Sequence, residues 1–314
     1  MSFQEEPIKL STSIVKRILL YADFPTILAF RETSDIALYL ATKELKDSLH
    51  NLLSPFFGLS VESFLSTLDA AKGIIGGEVA VAFLARGLTW KPIVLNIYIP
   101  SDAPSNIHRL LTNDIGMGPM KSSSKSTTAQ NEWALPRSID EHHQWNTNAK
   151  SVNLYRTSEL IPSVPIVSSF ATHLFTFITG RVFVTAYPKL FFKYRALLGK
   201  CMRTGIEADE EEQQITWWRN LGMDVQMDGR YWGLEGGDLC GPWMCPREER
   251  SFGDGGSFKG CIDGTDFEAE LLDLNGEVWW KLDTRMCSGR RCNSQGKQSS
   301  DDKSLVWLVE YQSD

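Results

Sequence analysis

Apolar residues recur at helical spacing through the first fifty positions of the chain. The first set follows Ser11 and Thr12, residue types that commonly cap the start of a helix. A second helix is predicted to begin beside Pro25, because proline favours the first helical turn, and a third near Ser34 and Asp35. The pattern therefore predicts three short helices.

From about residue 58 to residue 203 the pattern changes to an alternation of strands and helices. A helix-like stretch leads into a strand that ends at Gly76 and Gly77. A helix over residues 79–84 and a strand from Ile93 to Ile99 follow. Alternation of this kind predicts an α/β layer.

A stretch rich in Ser, Thr, Gly and Lys at residues 117–132 predicts a loop that contributes nothing to a core. Regular structure is predicted to return with the strand "SVNLYRT" and then with a strand followed by a helix in "SVPIVSSFATHLFTFITG". The strand "RVFVTAYP" and the amphipathic helix "KLFFKYRALLGK" complete this region.

The remaining residues, 204–314, are rich in Trp, Gly and Cys. They open with the acidic run "EADEEEQQ", which is typical of the solvated start of a helix. Helical periodicity is then lost, which predicts an irregular, β-rich C-terminal unit. The whole chain is therefore predicted to be α+β or α/β, with a helical N-terminal segment, a mixed sheet with helices, and this last unit.

The composition narrows the class of protein. A chain of 314 residues, 42% of them hydrophobic, can form two or three domains with closed cores. Its 32 basic and 39 acidic residues give a net charge of -7, which disfavours binding to the phosphate backbone of nucleic acid. No apolar run reaches the roughly 18–20 residues of a membrane helix, and the N-terminus lacks the pattern of a signal peptide. We therefore expect a cytoplasmic or nuclear protein without a membrane partner.

The order of residues in the helical segment, residues 8–52, resembles the F-box, whose pattern is a leading Leu-Pro, an Ile-Leu pair and a hydrophobic second helix. Leu10 takes the leading position, Ser11 stands in place of the proline, and "IVKRILLYADFPTILAF" supplies the rest. The resemblance implies docking onto the Skp-type adaptor of a cullin-RING ubiquitin ligase through exposed apolar side chains. The adaptor contacts that it implies are Leu10, Ile14, Ile18, Leu19, Pro25 and Leu28.

The stretch from residue 73 to residue 100 resembles the nucleotidyltransferase fold, in which a strand with Gly-Gly starts a helix and the next strand carries an Asp-x-Asp pair. Residues 8–250 also resemble families of fungal proteins that place an F-box before a degenerate transferase core. If the resemblance to the nucleotidyltransferase fold holds, Gly76 and Gly77 would let backbone amides approach a phosphate at the start of the helix.

The paired carboxylates of the transferase motif fall at Val94 and Asn96, which carry no charge. Two-metal nucleotidyl transfer needs clustered carboxylates, because these hold the two Mg²⁺ ions. Asn96, with Glu78 or Asp102, would have to supply replacement ligands. We therefore expect an inactive fold without catalytic residues, and the alternative is a nucleotide-binding protein or a residual nucleotidyltransferase that uses the glycine pair and Asn96 with Mg²⁺.

Four of the six cysteines form two C-x4-C pairs in the C-terminal unit, and they are Cys240, Cys245, Cys287 and Cys292. Four thiolates can hold a structural Zn²⁺ and stabilise a region with little regular periodicity. The alternative is that these cysteines are free thiols that bind no metal. The pair His142 and His143 is predicted to lie in a surface loop, and His173 in the core. The pair Trp217 and Trp218 is predicted to be core, with a ligand platform as the alternative.

Together these patterns predict a non-enzymatic F-box-type protein, the substrate-recognition subunit of a ubiquitin ligase, built on an inactive nucleotidyltransferase-like fold. Its expected partners are a Skp-type adaptor and a protein target, and no cofactor is expected beyond the zinc and nucleotide alternatives. Burial of Ile14, Ile18 and Leu28 would instead indicate that the N-terminal helices serve only the core.

Overall fold

In a computed structural model of the protein, the residues whose structure is described are 10–115, 117, 120–124, 138–147, 150–199, 208–227, 232, 249–265 and 278–282. The helices are α1 Thr12–Tyr21, α2 Phe24–Arg31, α3 Asp35–Phe57, α4 Val61–Ala70, α5 Gly77–Leu84, α6 Asn106–Arg109, α7 Val164–Val167, α8 Pro188–Phe191 and α9 Ala208–Asn220. A π-helical turn, Leu110–Asp114, continues α6, and 3₁₀ turns span Gly58–Ser60 and Thr172–Leu174. The strands are β1 Ile74–Gly76, β2 Val94–Ile99, β3 Met120–Ser124, β4 Ile139–Thr147, β5 Lys150–Thr157, β6 Thr176–Ile178, β7 Val182–Thr185, β8 Arg195–Leu197, β9 Asp224–Gln226, β10 Arg250–Ser251, β11 Phe258–Cys261 and β12 Trp279–Trp280.

The starts of α2 and α3 are fixed by side-chain caps. The Asp23 carboxylate accepts a hydrogen bond from the Thr26 amide at 2.8 Å, and the Ser34 hydroxyl accepts one from the Ala37 amide at 3.2 Å. Each cap satisfies an amide that the helix itself leaves without a partner. The predicted starts of both helices are confirmed, whereas α3 runs for 23 residues and is not short.

The described residues form an eight-stranded sheet in the order β11-β7-β6-β1-β2-β5-β4-β3. Strands β2 and β5 run parallel, and the other neighbours in this sheet pair antiparallel. Two short pairs, β8 with β9 and β10 with β12, lie outside it. The described part of the chain is therefore a mixed α+β fold with an N-terminal helical region, as predicted.

One face of the sheet is buried under the N-terminal helices. Ile75 of β1 and Leu95 of β2 belong to the same hydrophobic core as the buried side chains of α1, α2 and α3. Phe24 of α2 reaches the centre of this core, where its ring packs edge-on against Phe83 at 5.3 Å and Phe183 at 4.7 Å. The helical segment and the sheet therefore share one core.

The opposite face is covered over only part of its width by the described residues. A second core joins Ile74, Phe177 and Val184 to α7, α8 and Trp280. Tyr98 of β2 lies at the border of this core. Beyond that border, the side chains of β2, β5 and β4 on this face are mostly half-exposed.

The prediction of a loop at residues 117–132 is wrong for part of this range. Met120–Ser124 is the edge strand β3, and the polar residues after the loop form β4; residues 125–132 lie outside the described part. On β4, His142 lies on the half-exposed face and His143 on the other, so the surface-loop prediction for this pair is also wrong. A strand that carries polar side chains on both faces lacks the alternation that identifies strands in a sequence.

Two further predicted elements are corrected. The segment predicted as a strand followed by a helix has the reverse order, because Pro165 starts the short helix α7 and the buried strand β6 comes after it. The amphipathic helix predicted for "KLFFKYRALLGK" ends early, at Phe191. Tyr194 then adopts a left-handed φ of 54°, which no helix can continue, and β8 follows.

The acidic run "EADEEEQQ" leads into α9, as predicted, and α9 packs through Ile215 and Trp218. Trp218 meets His173, whose ring centroid lies 4.4 Å from that of the indole. The His173 imidazole is buried, as predicted, and neither of its nitrogens has a hydrogen-bond partner among the described residues. Burial alone lowers the pKa of His173 to about 3.

We expect this histidine to make folding sensitive to acid. Unfolded His173 takes up a proton near pH 6.5 and the folded imidazole does not, so stability is fully present above that pH and falls as the pH decreases toward 3. At pH 5 the loss is about 2 kcal/mol. Urea unfolding at pH 7.5 and pH 5 measures this loss of unfolding free energy in the wild type and in His173→Phe. The variant should lose about 2 kcal/mol less than the wild type, because it has no imidazole to protonate. Equal losses in the two proteins would contradict the assignment, and His50→Gln is the control.

Candidate functional site

The space around the glycine pair at the start of α5 leaves no room for a side chain at either position. Gly77 has a left-handed φ of 65°, and a β-carbon there would lie 2.6 Å from the Asn96 Nδ2 atom. A β-carbon on Gly76 would lie 2.5 Å from Ile166 and 3.0 Å from the Tyr98 ring. The space above the glycine turn is therefore occupied by the side chain of Asn96, and by Tyr98 and Ile166.

Asn96 belongs to a chain of hydrogen bonds that crosses three strands. Asn153 of β5 lies opposite Asn96 in the parallel pair, and its Nδ2 donates to Asn96 Oδ1 at 2.9 Å. Its Oδ1 lies 3.2 Å from Nε2 of His142 on β4. Because an amide oxygen only accepts, the imidazole donates this bond and carries its proton on Nε2. The amide of Asn153 is thus held at both ends.

A row of stacked rings lies beside this chain. The Tyr155 ring stacks on Tyr98 with a centroid distance of 5.0 Å and on His142 with one of 4.6 Å. Because β2 and β4 flank β5 on opposite sides, both faces of the Tyr155 ring are covered. Burial raises the pKa of Tyr155 to about 12, and it raises that of Tyr98 as well, so both remain neutral phenols at physiological pH.

We call this surface the amide shelf, and it consists of Asn96, Tyr98, His142, Asn153 and Tyr155. Its side chains are amides, phenols and an imidazole, all of which form hydrogen bonds, and the covered faces of the Tyr155 ring leave no room there for a stacked base or sugar. Asn153 is itself buried, so the parts of the shelf that reach its surface are the half-buried side chains of Asn96, Tyr98, His142 and Tyr155.

Glu78, next to the glycine turn, is engaged in the fold. Its side chain is buried, and one carboxylate oxygen accepts the amides of Ile93 at 2.8 Å and Val94 at 3.1 Å. The Trp217 side chain also hydrogen-bonds it. Desolvation by burial raises the pKa of the Glu78 carboxyl, while these three hydrogen bonds lower it.

The residues around the glycine turn do not fit metal-dependent nucleotidyl transfer. Val94 and Asn96 carry no charge, and Asn153, the nearest partner of Asn96, is also an amide. Glu78 is committed to backbone amides, and Asp102 is exposed in the turn beyond the end of β2. Within the described ranges, no three His, Cys, Asp or Glu side chains converge as a metal site.

The residues that the F-box resemblance implies as adaptor contacts divide into two groups. Leu10, Ile14 and Ile18 are about half exposed, with side-chain exposures of 48–52%. Leu19 is 2% exposed, so its implied role as a contact is corrected: it lies on the opposite side of α1 and anchors the helix in the core. Pro25 and Leu28 are half-buried.

The remaining sequence predictions have different outcomes. Cys240, Cys245, Cys287 and Cys292 lie outside the described residues, so the zinc alternative stays a prediction. Of the tryptophan pair, Trp218 is buried in the core, whereas Trp217 is 40% exposed and lines an open depression on α9. No described helix is long and apolar enough to cross a membrane.

Comparison with known proteins gave no match for this chain among protein-family models, curated proteins or solved structures. The sequence singled out Asn96 but not Asn153 or His142. The available signal was an asparagine within the otherwise strand-like "SVNLYRT", the same feature that marks Asn96 in "IVLNIYI".

We expect Gly77 and Asn96 to be energetically coupled, because their atoms are in close contact. Gly77→Ala should destabilise the protein by about 2–4 kcal/mol, because it adds a clash with Asn96 to the strain of a left-handed residue. In an Asn96→Ala background only the backbone strain remains, since the Asn96 β-carbon would lie 3.8 Å away at normal contact distance. The coupling, about 1–2 kcal/mol, is measured by a double-mutant cycle of urea unfolding. Costs that simply add would contradict the packing role of Gly77.

Proposed function

We propose that this protein is a non-enzymatic F-box-type subunit of a cullin-RING ubiquitin ligase, which docks a Skp-type adaptor through α1 and presents a protein target with the rest of the fold. The observation that carries the proposal is the exposed apolar surface of α1. Ile14 and Ile18 lie one helical turn apart on the same side of the helix, and Leu10 precedes them. We call Leu10, Ile14 and Ile18 the docking stripe.

Exposed apolar side chains are concentrated in the N-terminal helices. Among the described residues, 14 large hydrophobic side chains are exposed, and 8 of them lie between residues 10 and 39. These are Leu10, Ile14, Ile18, Leu20, Tyr21, Ile36, Leu38 and Tyr39. A concentration of apolar surface on an otherwise well-packed segment is typical of a protein interaction site.

The exposure does not result from poor packing of the segment. Leu19, Phe24 and Ile27 are buried in the main core, and α2 and α3 begin at capped ends. The alternative in which these helices serve only the core requires Ile14, Ile18 and Leu28 to be buried. Ile14 and Ile18 are about half exposed, whereas Leu28 is half-buried against the core. The segment is therefore anchored on one side and available on the other.

The rest of the proposal concerns the sheet. A nucleotidyltransferase-like origin is supported by the order β1, glycine turn, α5 and β2, and an inactive site is supported by the amides at positions 96 and 153. In this proposal the amide shelf belongs to the surface that meets the target. The alternative function, binding of a nucleotide at Gly77, is disfavoured because the Asn96 side chain fills the space that a phosphate would need.

Adaptor binding tests the proposal directly. We expect Ile14→Asp and Ile18→Asp each to weaken binding of a purified Skp-type adaptor at least tenfold in biolayer interferometry, since each places a carboxylate in an apolar contact. Leu20→Asp is the matched control, because Leu20 is equally exposed on a different side of α1 and should bind within about twofold of wild type. Absence of adaptor binding by the wild type, or equal binding by all three variants, would rule the proposal out.

The nucleotide alternative has a separate test. We expect calorimetric titration of the full chain with ATP and Mg²⁺ to show no saturable heat. The glycine turn offers neither a cluster of carboxylates to hold Mg²⁺ nor free space for the phosphates. Saturable binding that Gly77→Trp abolishes would favour the alternative over a purely scaffolding role.

A further inference from the structure

The docking stripe can be recognised only if α1 holds a fixed orientation on the protein. The helix has ten residues, a length at which an isolated helix is marginal in water. Leu19 is its one fully buried side chain, and Val15 packs partly against the core beside it. The orientation of α1 therefore depends on contacts supplied by other elements.

Arg86 supplies such a contact from the end of α5. One terminal nitrogen of its guanidinium donates to the Leu19 carbonyl at 3.2 Å and to a Glu44 carboxylate oxygen at 2.6 Å. The other terminal nitrogen donates to the Ser48 hydroxyl at 2.9 Å, and Ser48 in turn donates to Glu44 at 3.1 Å. A single side chain thus joins α1, α3 and the end of α5.

The chemistry of this contact suits the end of a helix. The Leu19 carbonyl lies in the last turn of α1 and accepts the Ala22 amide at 3.3 Å. Arg86 gives this carbonyl a second donor from outside the helix, at an end where a positive charge is favourable. The ion pair is largely removed from water, with the Arg86 side chain 9% exposed and that of Glu44 14%. The Arg86 Nε atom is buried without a partner among the described residues, so the guanidinium is oriented by its two terminal nitrogens.

We propose that Arg86 is the positioning residue of the adaptor-docking surface, since it fixes the last turn of α1 against α3 and thereby sets the direction of the docking stripe. This inference rests on the function proposed above. A planar guanidinium can reach a carbonyl, a carboxylate and a hydroxyl at the same time, whereas a lysine ammonium in that place acts as a point charge and cannot hold the same fork geometry. The role therefore requires arginine and not merely a positive charge.

The test compares Arg86→Lys with the wild type in the full-length protein. We expect Arg86→Lys to leave the binding-competent orientation of α1 only partly populated. Because the apparent affinity is proportional to the populated fraction, adaptor affinity should fall about tenfold. Hydrogen exchange of the α1 amides should accelerate relative to the amides of β2 and β5, which report on the sheet. Arg109→Lys, at an exposed arginine of α6, is the matched control and should change neither quantity.

A second variant separates positioning of α1 from general stability. Ser48→Ala removes one Arg86 partner on α3 and leaves the bond to Leu19, so it should keep adaptor affinity within about twofold of wild type even where the urea midpoint falls. Unchanged affinity and unchanged α1 exchange in Arg86→Lys would overturn the inference. If Ile14→Asp weakens binding and Arg86→Lys does not, only the role of Arg86 fails. If the wild type binds no adaptor, the proposed function fails, and the exchange measurement still reports on Arg86.

Discussion

The buried carboxylate of Glu78 joins three elements of the structure, α5, β2 and α9. It lies in the first turn of α5, directly after the glycine turn, and accepts two amides at the point where β2 begins. Taking a carboxylate out of water disfavours its charge, and the hydrogen bonds from Ile93, Val94 and Trp217 offset only part of this cost, so the pKa of Glu78 stays raised. Without Glu78, the amides of Ile93 and Val94 would lack these acceptors at the start of β2. The Glu78 carboxylate thus joins the first turn of α5 to the start of β2 and to Trp217 of α9, and its charge is already engaged by these partners.

Sequence pattern was sufficient for elements that have one apolar face and a local start signal. The caps at Asp23 and Ser34 fix α2 and α3, and the alternation in "IVLNIYI" identifies β2. Sequence pattern did not identify β4, because polar side chains lie on both of its faces. Glu141 pairs with His143 and Arg156 on one face of the sheet, and His142 lies on the half-exposed face. Such a strand has no apolar side to detect. The pattern also failed after Phe191, where α8 ends in a turn that contains the left-handed Tyr194 and no glycine marks the end of the helix.

The candidate site shows the same limit at longer range. The glycine pair and Asn96 are close together in the chain, so their relation to a known motif could be recognised. Asn153 comes from a strand 57 residues further on, and only the parallel pairing of β2 with β5 brings the two amides together. The resemblance therefore pointed to the uncharged Asn96 but not to its partners. The structure shows that Asn96 belongs to a connected hydrogen-bonded group, and such a group rigidifies the shelf because every bond of the chain orients the next.

The two sides of α1 connect this rigid body to the proposed function. A short helix that leaves most of its apolar side chains exposed gains little stability from them, so its position must be fixed by its other side. Leu19 does this by burial, and Arg86 does it through the carbonyl of the same residue. Both contacts act at one point near the end of the helix, which leaves the side that carries Ile14 and Ile18 free of the core. Under the proposed function, an adaptor would meet these side chains without displacing anything from the fold, so recognition would not include an unfolding cost. Anchoring at one residue and exposure at its neighbours are thus parts of the same arrangement.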